Sequence, residues 1–272
     1  MKLGFIGVGN LAGAILKGVV ASGKIEPEEI LIFDLNTQRL NELKDLHKVS
    51  VAVSANQVAS ECENVVIAVK PKDIGPLIDD IKESVKANNP LVISTAAGTN
   101  LSTISGLFGG YTEKTKIVRI MPNINAAVGE SMTAACRNMY VSDDEMAFVL
   151  DLCTSFGSVI ELYEKDFSAF TAVAGSAPAF AYMFADALTQ AAVKYGLPAE
   201  ASQTIAAQML LGSAKMLLES PLSVSELIRN VCSPGGTTIE GVCSLKETGF
   251  ENSVIKAIDK TVEKDRLMSQ EK

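Results

Sequence analysis

A glycine-punctuated turn close to the start of the chain constrains the fold more than any other feature. Leu3-Gly4-Phe5-Ile6-Gly7 reads as a short buried strand, and Gly7-Val8-Gly9-Asn10-Leu11-Ala12 follows at once. From Asn10 to Val20 the apolar residues Leu11, Ala14, Ile15 and Val19 recur at helical spacing. A strand, a G-x-G-x-x-A turn and a helix form the setting that a dinucleotide fingerprint requires. Gly7 permits the tight turn, Gly9 lets a pyrophosphate approach the backbone, and Ala12 lets the helix pack closely on a sheet. The N–H groups at the helix N-terminus would then point at that anion.

The second strand, Ile30 to Phe33, ends in Asp34, about where the fingerprint expects an acidic residue. A carboxylate there accepts hydrogen bonds from ribose hydroxyls and repels a 2′-phosphate, which favours NAD(H). Asn36, Thr37 and Arg39 lie just downstream and could cradle a 2′-phosphate if Asp34 turned away; Asp34 could equally cap the next helix.

The alternation continues through strands at Val49–Val53, Asn64–Val69, Leu91–Ser94 and Lys116–Ile120, with helices near Asn56–Glu61 and Asp73–Val85. The near-continuous apolar runs are those of buried parallel strands. Two further strands, Ser131–Val141 and Val159–Leu162, flank a helix opened by Ser142-Asp143-Asp144-Glu145. The expected fold is therefore a Rossmann-type α/β domain with a doubly wound parallel sheet over residues 1–163, followed by an all-α domain over 164–272. In such sheets ligands bind beyond the carboxyl ends of the strands. The small or polar strand ends Ala68-Val69-Lys70-Pro71, Ser94-Thr95-Ala96-Ala97-Gly98 and Met121-Pro122-Asn123 together outline one groove there.

From about Glu164 no strand is expected. Phe180–Lys194, Ala199–Leu218 and Val254–Met268 are helical in period. Their apolar surface could cover the nucleotide domain or pair with a second copy, and a helical dimerisation domain is favoured. Met183, Phe184, Met209 and Met216, at helical spacings, are expected in its core.

Composition removes several classes of function. A formal net charge of −8 with no basic tract argues against nucleic acid as a partner. Five scattered cysteines without a CxxC and a single histidine, His47, leave no zinc cluster, and the thiols suit a reducing cytosol. Glycines break the N-terminal apolar run, and no stretch approaches about 20 uninterrupted apolar residues, so a cytoplasmic protein without a membrane partner is expected.

The second chemical feature is Cys232-Ser233-Pro234-Gly235-Gly236-Thr237-Thr238, which opens onto a helical pattern. It reads either as an ordinary helix connector or as an anion site, its backbone amides aimed outward at a helix start. A ketone or aldehyde reductase normally needs a positioned proton donor. None stands out near this turn, and His47 lies far along the chain in the nucleotide half. That suits a substrate already carrying its proton, such as a cyclic iminium, for which position and a carboxylate anchor suffice.

These residues resemble the pyrroline-5-carboxylate reductase family. The likeness runs through Gly4–Asn10, Ala68–Pro71, Ala96–Gly98, Met121–Asn123, Ala174–Ala179, Leu210–Met216 and Cys232–Gly241, in that order. It implies reduction of L-1-pyrroline-5-carboxylate to L-proline by NAD(P)H, the last step of proline synthesis. It also implies a homodimer interleaved through the helical domain, often built into a ring of dimers. By position, Ser233, Gly235, Gly236, Thr237 and Thr238 would bind substrate, with the Thr238 hydroxyl near the imine nitrogen as the catalytic group. Gly7, Gly9, Asn10 and Leu11 would hold the pyrophosphate; Asp34, Asn36 and Asn56 the adenosine end; Ala68 to Pro71 and Ala96 to Gly98 the ribose and nicotinamide. Asp34 stands where many relatives carry Ser or Thr, which favours NADH. Ala177 and Ile124-Asn125 also depart from the family pattern. A β-hydroxyacid dehydrogenase would share the two-part plan but carry a catalytic lysine early in the second domain, and Gly175–Ala185 has none.

Overall fold

The computed structural model describes residues 2–110 and 114–270; the outermost residues of the two expected domains, 1 and 271–272, lie outside them. The chain divides into two units, Met1–Gly175 with Val262–Lys272, and Ser176–Thr261.

The first unit is built on β1 (Leu3–Ile6), which pairs in parallel with β2 (Ile30–Phe33) on one side and with β4 (Asn64–Ile67) on the other. β3 (Ser50–Val51) extends one edge, and β5 (Leu91–Ser94) and β6 (Ile117–Met121) extend the other, all parallel. β7 (Ser131–Arg137) and β8 (Gly157–Glu161) complete the order β3-β2-β1-β4-β5-β6-β7-β8. The expected sheet is confirmed, with one addition: β7 runs antiparallel to β6, and β8 runs parallel to β7. The Val49–Val53 strand shrinks to two residues because Val53 is exposed and Ser54 already caps the next helix.

The pleat sends alternate side chains to opposite faces. Leu3 and Phe5 join Val66 and Ile93 in one core cluster, while Ile6 joins Val65, Ile67 and Val92 in the other. The first face is covered by α1 (Asn10–Ser22), α2 (Thr37–His47) and later α6 (Asp143–Cys153), the second by α3 (Ala55–Glu61), α4 (Ile74–Asn88) and α5 (Leu101–Leu107). Both faces buried explains why the strands read as continuous apolar runs. The thiols of Cys62, Cys136 and Cys153 are buried, and burial pushes them up to about 11, 12 and 12.

Several of the helices start where a short polar side chain caps them. The amide oxygen of Asn36 accepts from the Arg39 N–H at 3.1 Å, and that of Asn100 from Thr103 at 2.7 Å. At α6, Ser142 and Glu145 form the reciprocal capping box legible in the sequence.

The segment after β8 becomes α7 (Phe167–Phe170) and a π-helical turn, Thr171–Ser176. The second unit follows: α8 (Ala177–Lys194), α9 (Ala199–Glu219), α10 (Val224–Val231), α11 (Thr237–Glu247) and the first part of α12 (Phe250–Gln270). As expected, no strand follows Glu161 among the described residues. The internal core of this unit is sparse. α8 has no buried residue, and α9 has only Ser202 and Ala206. The expected core methionines are instead exposed, Met183 by 71%, Met209 by 42% and Met216 by 54%, and Phe184 is half-buried against Phe250 at 5.9 Å. Spacing along a helix identifies an apolar face; it does not say whether this chain covers it. The run Glu164–Lys194 is long and apolar enough, by length and composition alone, to cross a bilayer, and only 11% of its apolar window is buried.

The Glu145 carboxylate accepts from Lys116 Nζ at 2.7 Å and from the N–H and hydroxyl of Ser142 at 2.9 Å each. Burial raises its pKa, but these bonds outweigh burial and hold it below the ordinary carboxylate value. A depressed carboxylate stabilises the fold above its unfolded pKa of about 4.3 and loses that contribution as the pH falls below it. Glu145→Gln should therefore cost about 1 kcal/mol at pH 7. The melting-temperature gap to wild type should narrow as the pH falls towards 4.

Candidate functional site

The carboxyl ends of β1, β2, β4, β5 and β6 lie along one edge of the first unit, and the predicted cofactor residues gather there. Gly7 has a φ of +90°, and a Cβ there would sit 2.8 Å from the carbonyl oxygen of Ala68. The loop after β1 thus rests directly on the loop after β4, and only glycine fits between them. Gly9 has the opposite surroundings. It is exposed, and a Cβ there would meet nothing within 4 Å. No side chain caps α1, so the N–H groups of its first turn face outward from Gly9, Asn10 and Leu11. Nothing inside the protein requires glycine at this point. A pyrophosphate pressed onto an uncapped helix start would require it, so the loop fits the group its sequence implies.

The peptide of Val8 is held from both sides. Asp34 Oδ2 accepts the Val8 N–H at 2.7 Å, and Arg39 Nε donates to the Val8 carbonyl at 3.3 Å. Asp34 Oδ1 accepts the Asn36 N–H at 2.9 Å. Asp34 therefore does not turn away, and the cap of α2 is Asn36, not Asp34. A carboxylate has about four acceptor positions, so ribose hydroxyls still have oxygen lone pairs to reach. The Arg39 guanidinium lies over Gly13, 2.6 Å from where a Cβ would be, and 3.6 Å from Glu42. It is already engaged, which weakens the 2′-phosphate cradle. Burial, then Arg39 and Lys17, lower the pKa of His47 at the end of α2.

The remaining predicted positions divide. Ala68 and Val69 are half-buried beside the glycine loop, Lys70 is exposed, and Pro71 opens a short 3-10 turn. Ala96 is buried, Ala97 is exposed, and Gly98 has a φ of +65°. Asn56 is on α3, and its Oδ1 accepts from the Ser84 hydroxyl of α4 at 2.7 Å, away from the glycine loop's own bonds. Two residues named in the sequence only as a possible phosphate cradle and as part of a strand end are tied to this edge by bonds that the sequence did not show. Arg39 is one. The other is Asn123, whose side-chain amide donates to the Ala174 carbonyl at 2.8 Å.

The substrate candidates all fall in the second unit. Ser233–Gly236 closes a turn in which the Gly236 N–H donates to the Ser233 carbonyl at 3.0 Å, with Gly235 at a φ of +67°. Gly236 is the N-cap of α11, and no side chain caps that helix either. The first-turn amides of Thr237 and Thr238 therefore keep their hydrogens outward, with Thr237 exposed and Thr238 half-buried. An uncapped helix start after a glycine turn is an anion-binding geometry. No cluster of metal-ligating side chains is found among the described residues.

A doubly wound sheet with an open glycine loop, followed by a helical unit with an uncapped helix start after a glycine turn, is a Rossmann-type plan. Residues 164–268 match the family described as "Pyrroline-5-carboxylate reductase dimerisation", and residues 2–98 match "NADP oxidoreductase coenzyme F420-dependent". The chain is 38% identical to the pyrroline-5-carboxylate reductase of Escherichia coli over 269 residues, 99% of this chain and 98% of the relative. Its structure is similar to that of a pyrroline-5-carboxylate reductase from Coxiella burnetii, with a TM-score of 0.93, 31% identity and 98% of each chain covered. A Plasmodium falciparum pyrroline carboxylate reductase with NADP bound superposes with a TM-score of 0.85 and 32% identity, over 99% of this chain and 98% of that one. The chain belongs to the pyrroline-5-carboxylate reductase family.

The bonds of Asp34 separate its two effects. Asp34→Asn keeps an oxygen for the Val8 N–H but removes the charge. The NADPH-to-NADH ratio of kcat/KM should rise by about tenfold, the size of one relieved charge repulsion near a surface. Steady-state assays with both cofactors check this, and an unchanged ratio would show that Asp34 only anchors the loop.

Proposed function

We propose that this chain reduces L-1-pyrroline-5-carboxylate to L-proline, using NADH or NADPH, as the last step of proline biosynthesis. The observation that carries this is the Ser233–Thr238 turn, an uncapped helix start with exposed amides, in a member of this family. In this reading the N–H groups of Thr237 and Thr238 hold the substrate carboxylate, with Ser233, Gly235 and Gly236 shaping the turn around it. Thr238 is the catalytic residue, its hydroxyl bonded to the ring nitrogen. The nitrogen of the cyclic iminium already carries the proton and the positive charge. Hydride addition at the neighbouring carbon therefore yields the amine with no proton donor from the protein. The bound nicotinamide supplies the hydride. What the protein contributes is orientation, which can lower a barrier by several kcal/mol.

The cofactor would lie across the strand ends: pyrophosphate at Gly7, Gly9, Asn10 and Leu11, adenosine towards Asp34, Asn36 and Asn56, and nicotinamide by Ala68–Pro71 and Ala96–Gly98. The charge of Asp34, fixed at the end of β2, favours NADH. Residues 1–163 form the nucleotide domain and 164–272 the substrate-binding and dimerisation domain. The exposed apolar faces of α8 and α9 support pairing with a second copy, because a surface of that extent needs a cover. Higher assembly as a ring of dimers and a cytoplasmic location complete the proposal.

Purified protein supplied with pyrroline-5-carboxylate should oxidise NADH or NADPH and release proline. Thr238→Ala should lower kcat by about 10²-fold, as loss of a positioned hydroxyl at a reacting centre does, and leave the Kd for NAD(P)H unchanged. Folded, cofactor-binding protein with no turnover would overturn the assignment; undiminished kcat in Thr238→Ala would remove that residue from it.

A further inference from the structure

Gly13 lies one turn into α1, and nothing in its backbone calls for glycine. Its N–H donates to the Gly9 carbonyl at 2.8 Å in the ordinary helical pattern. Inside a helix glycine costs about 0.5–1 kcal/mol relative to alanine. What a side chain would meet here is a single group. A Cβ on Gly13 would lie 2.6 Å from Arg39 Nη2 and 3.7 Å from Arg39 Cζ, and the next atom, the Val8 carbonyl oxygen, is at an ordinary 3.9 Å. Gly13 is nevertheless buried. The guanidinium of Arg39 is laid over this bare stretch of helix.

Carbon and nitrogen in van der Waals contact stand roughly 3.5 Å apart, so a methyl group at position 13 would push the guanidinium outward by about an ångström. Little resists that push. The bond from Arg39 Nε to the Val8 carbonyl is already 3.3 Å long, Nη1 is 3.6 Å from the Glu42 carboxylate, and the side chain is 35% exposed. Lys17 and Arg39 both depress His47, which puts a second cation on the same face.

Where the guanidinium stands matters because of the helix it comes from. Arg39 is on the first turn of α2, three residues after the cap Asn36, whose own N–H is held by the Asp34 carboxylate at the end of β2. In dinucleotide-binding sheets the adenosine ribose is read at this point: an acidic residue takes the 2′-hydroxyl, and an arginine nearby accommodates a 2′-phosphate. This chain carries both residues. Asp34 stands at the strand end, while Arg39 is turned back onto α1.

We propose that Gly13 is a specificity-determining residue for the cofactor. By offering no side chain it seats Arg39 on α1, where the guanidinium braces the Val8 peptide and is withheld from the end of β2. Asp34 then repels a 2′-phosphate with no offset from Arg39. This rests on the proposed cofactor site and adds a determinant on the far side of the arginine. A side chain at 13 would release Arg39 towards the place where only NADPH has a charge to meet it.

The test measures the Kd for NADH and for NADPH by calorimetry, without substrate, in wild type, Gly13→Ala, Arg39→Ala and the double variant. Gly13→Ala should shift the ratio of the two Kd values in favour of NADPH by about fivefold or more, within what one charge brought towards a phosphate gives near a surface. ADP-ribose and its 2′-phosphate should show the same shift, because the nicotinamide takes no part in it. In the Arg39→Ala background Gly13→Ala should move the ratio by less than about twofold. The melting temperature should rise there, since alanine then replaces a helical glycine with no guanidinium to displace. An unchanged ratio in Gly13→Ala, a shift towards NADH, or an equal shift with and without Arg39 would each overturn the proposal. Wild-type protein that bound neither dinucleotide would overturn the cofactor site, and this inference with it. Because the readout needs no turnover, protein that bound both dinucleotides without reducing pyrroline-5-carboxylate would count against the proposed reaction alone.

Discussion

The peptide group of Val8 bears the geometry of the nucleotide half. Its N–H is taken by Asp34 at the end of β2 and its carbonyl by Arg39 on α2, so two oppositely charged side chains close on one peptide in the glycine loop. With Gly7 pressed against Ala68, this fixes the loop between β2 and β4. The N-terminus of α1 then faces outward in a single orientation. The proposed catalysis by orientation needs such rigidity, because a loop that wandered by about an ångström would undo the alignment on which that proposal depends. Asp34 is thus a part of the loop's scaffold as well as a candidate contact for ribose.

The second unit has the opposite physical character. Folding must overcome a chain-entropy cost on the order of 1–2 kcal/mol per residue. Helices as exposed as α8 and α9 cannot meet that from contacts within one chain. Leu211, Leu217 and Ile205 are each more than half exposed. Such helices hold their shape when a like surface covers them, and their stability then depends on protomer concentration. The many alanines of this unit let facing helices approach closely, and Met183, Met209 and Met216 can adjust to a partner surface.

The legible parts of the fold were those written in local pattern. Strand, glycine turn and helix are contiguous, so the fingerprint could be read from a dozen residues, and the Ser142–Glu145 box and the Ser233–Thr238 turn likewise. Direction was less legible. Ser131–Arg137 looks the same parallel or antiparallel, because side-chain alternation is blind to the sense of the strand. Burial in the helical unit misled for a related reason: the spacing of Met183, Met209 and Met216 marks a face without saying what lies against it. The contacts of Asp34 and Asn123 join residues 26 and 51 positions apart and depend on loop conformations that no short-range pattern encodes.

Gly9 separates two pressures that usually coincide. Its φ of −61° is ordinary for any L-residue, and its missing side chain would collide with nothing. Replacing such a glycine commonly stabilises a protein, because the unfolded chain loses freedom. The fold would therefore gain from an alanine here that a pyrophosphate in the proposed cofactor site would not tolerate. A survey of variants scored by abundance would pass over this position, and under the proposed function one scored by growth without added proline would find it among the least forgiving. Disagreement between two such surveys would trace the outline of a bound dinucleotide without any ligand being seen.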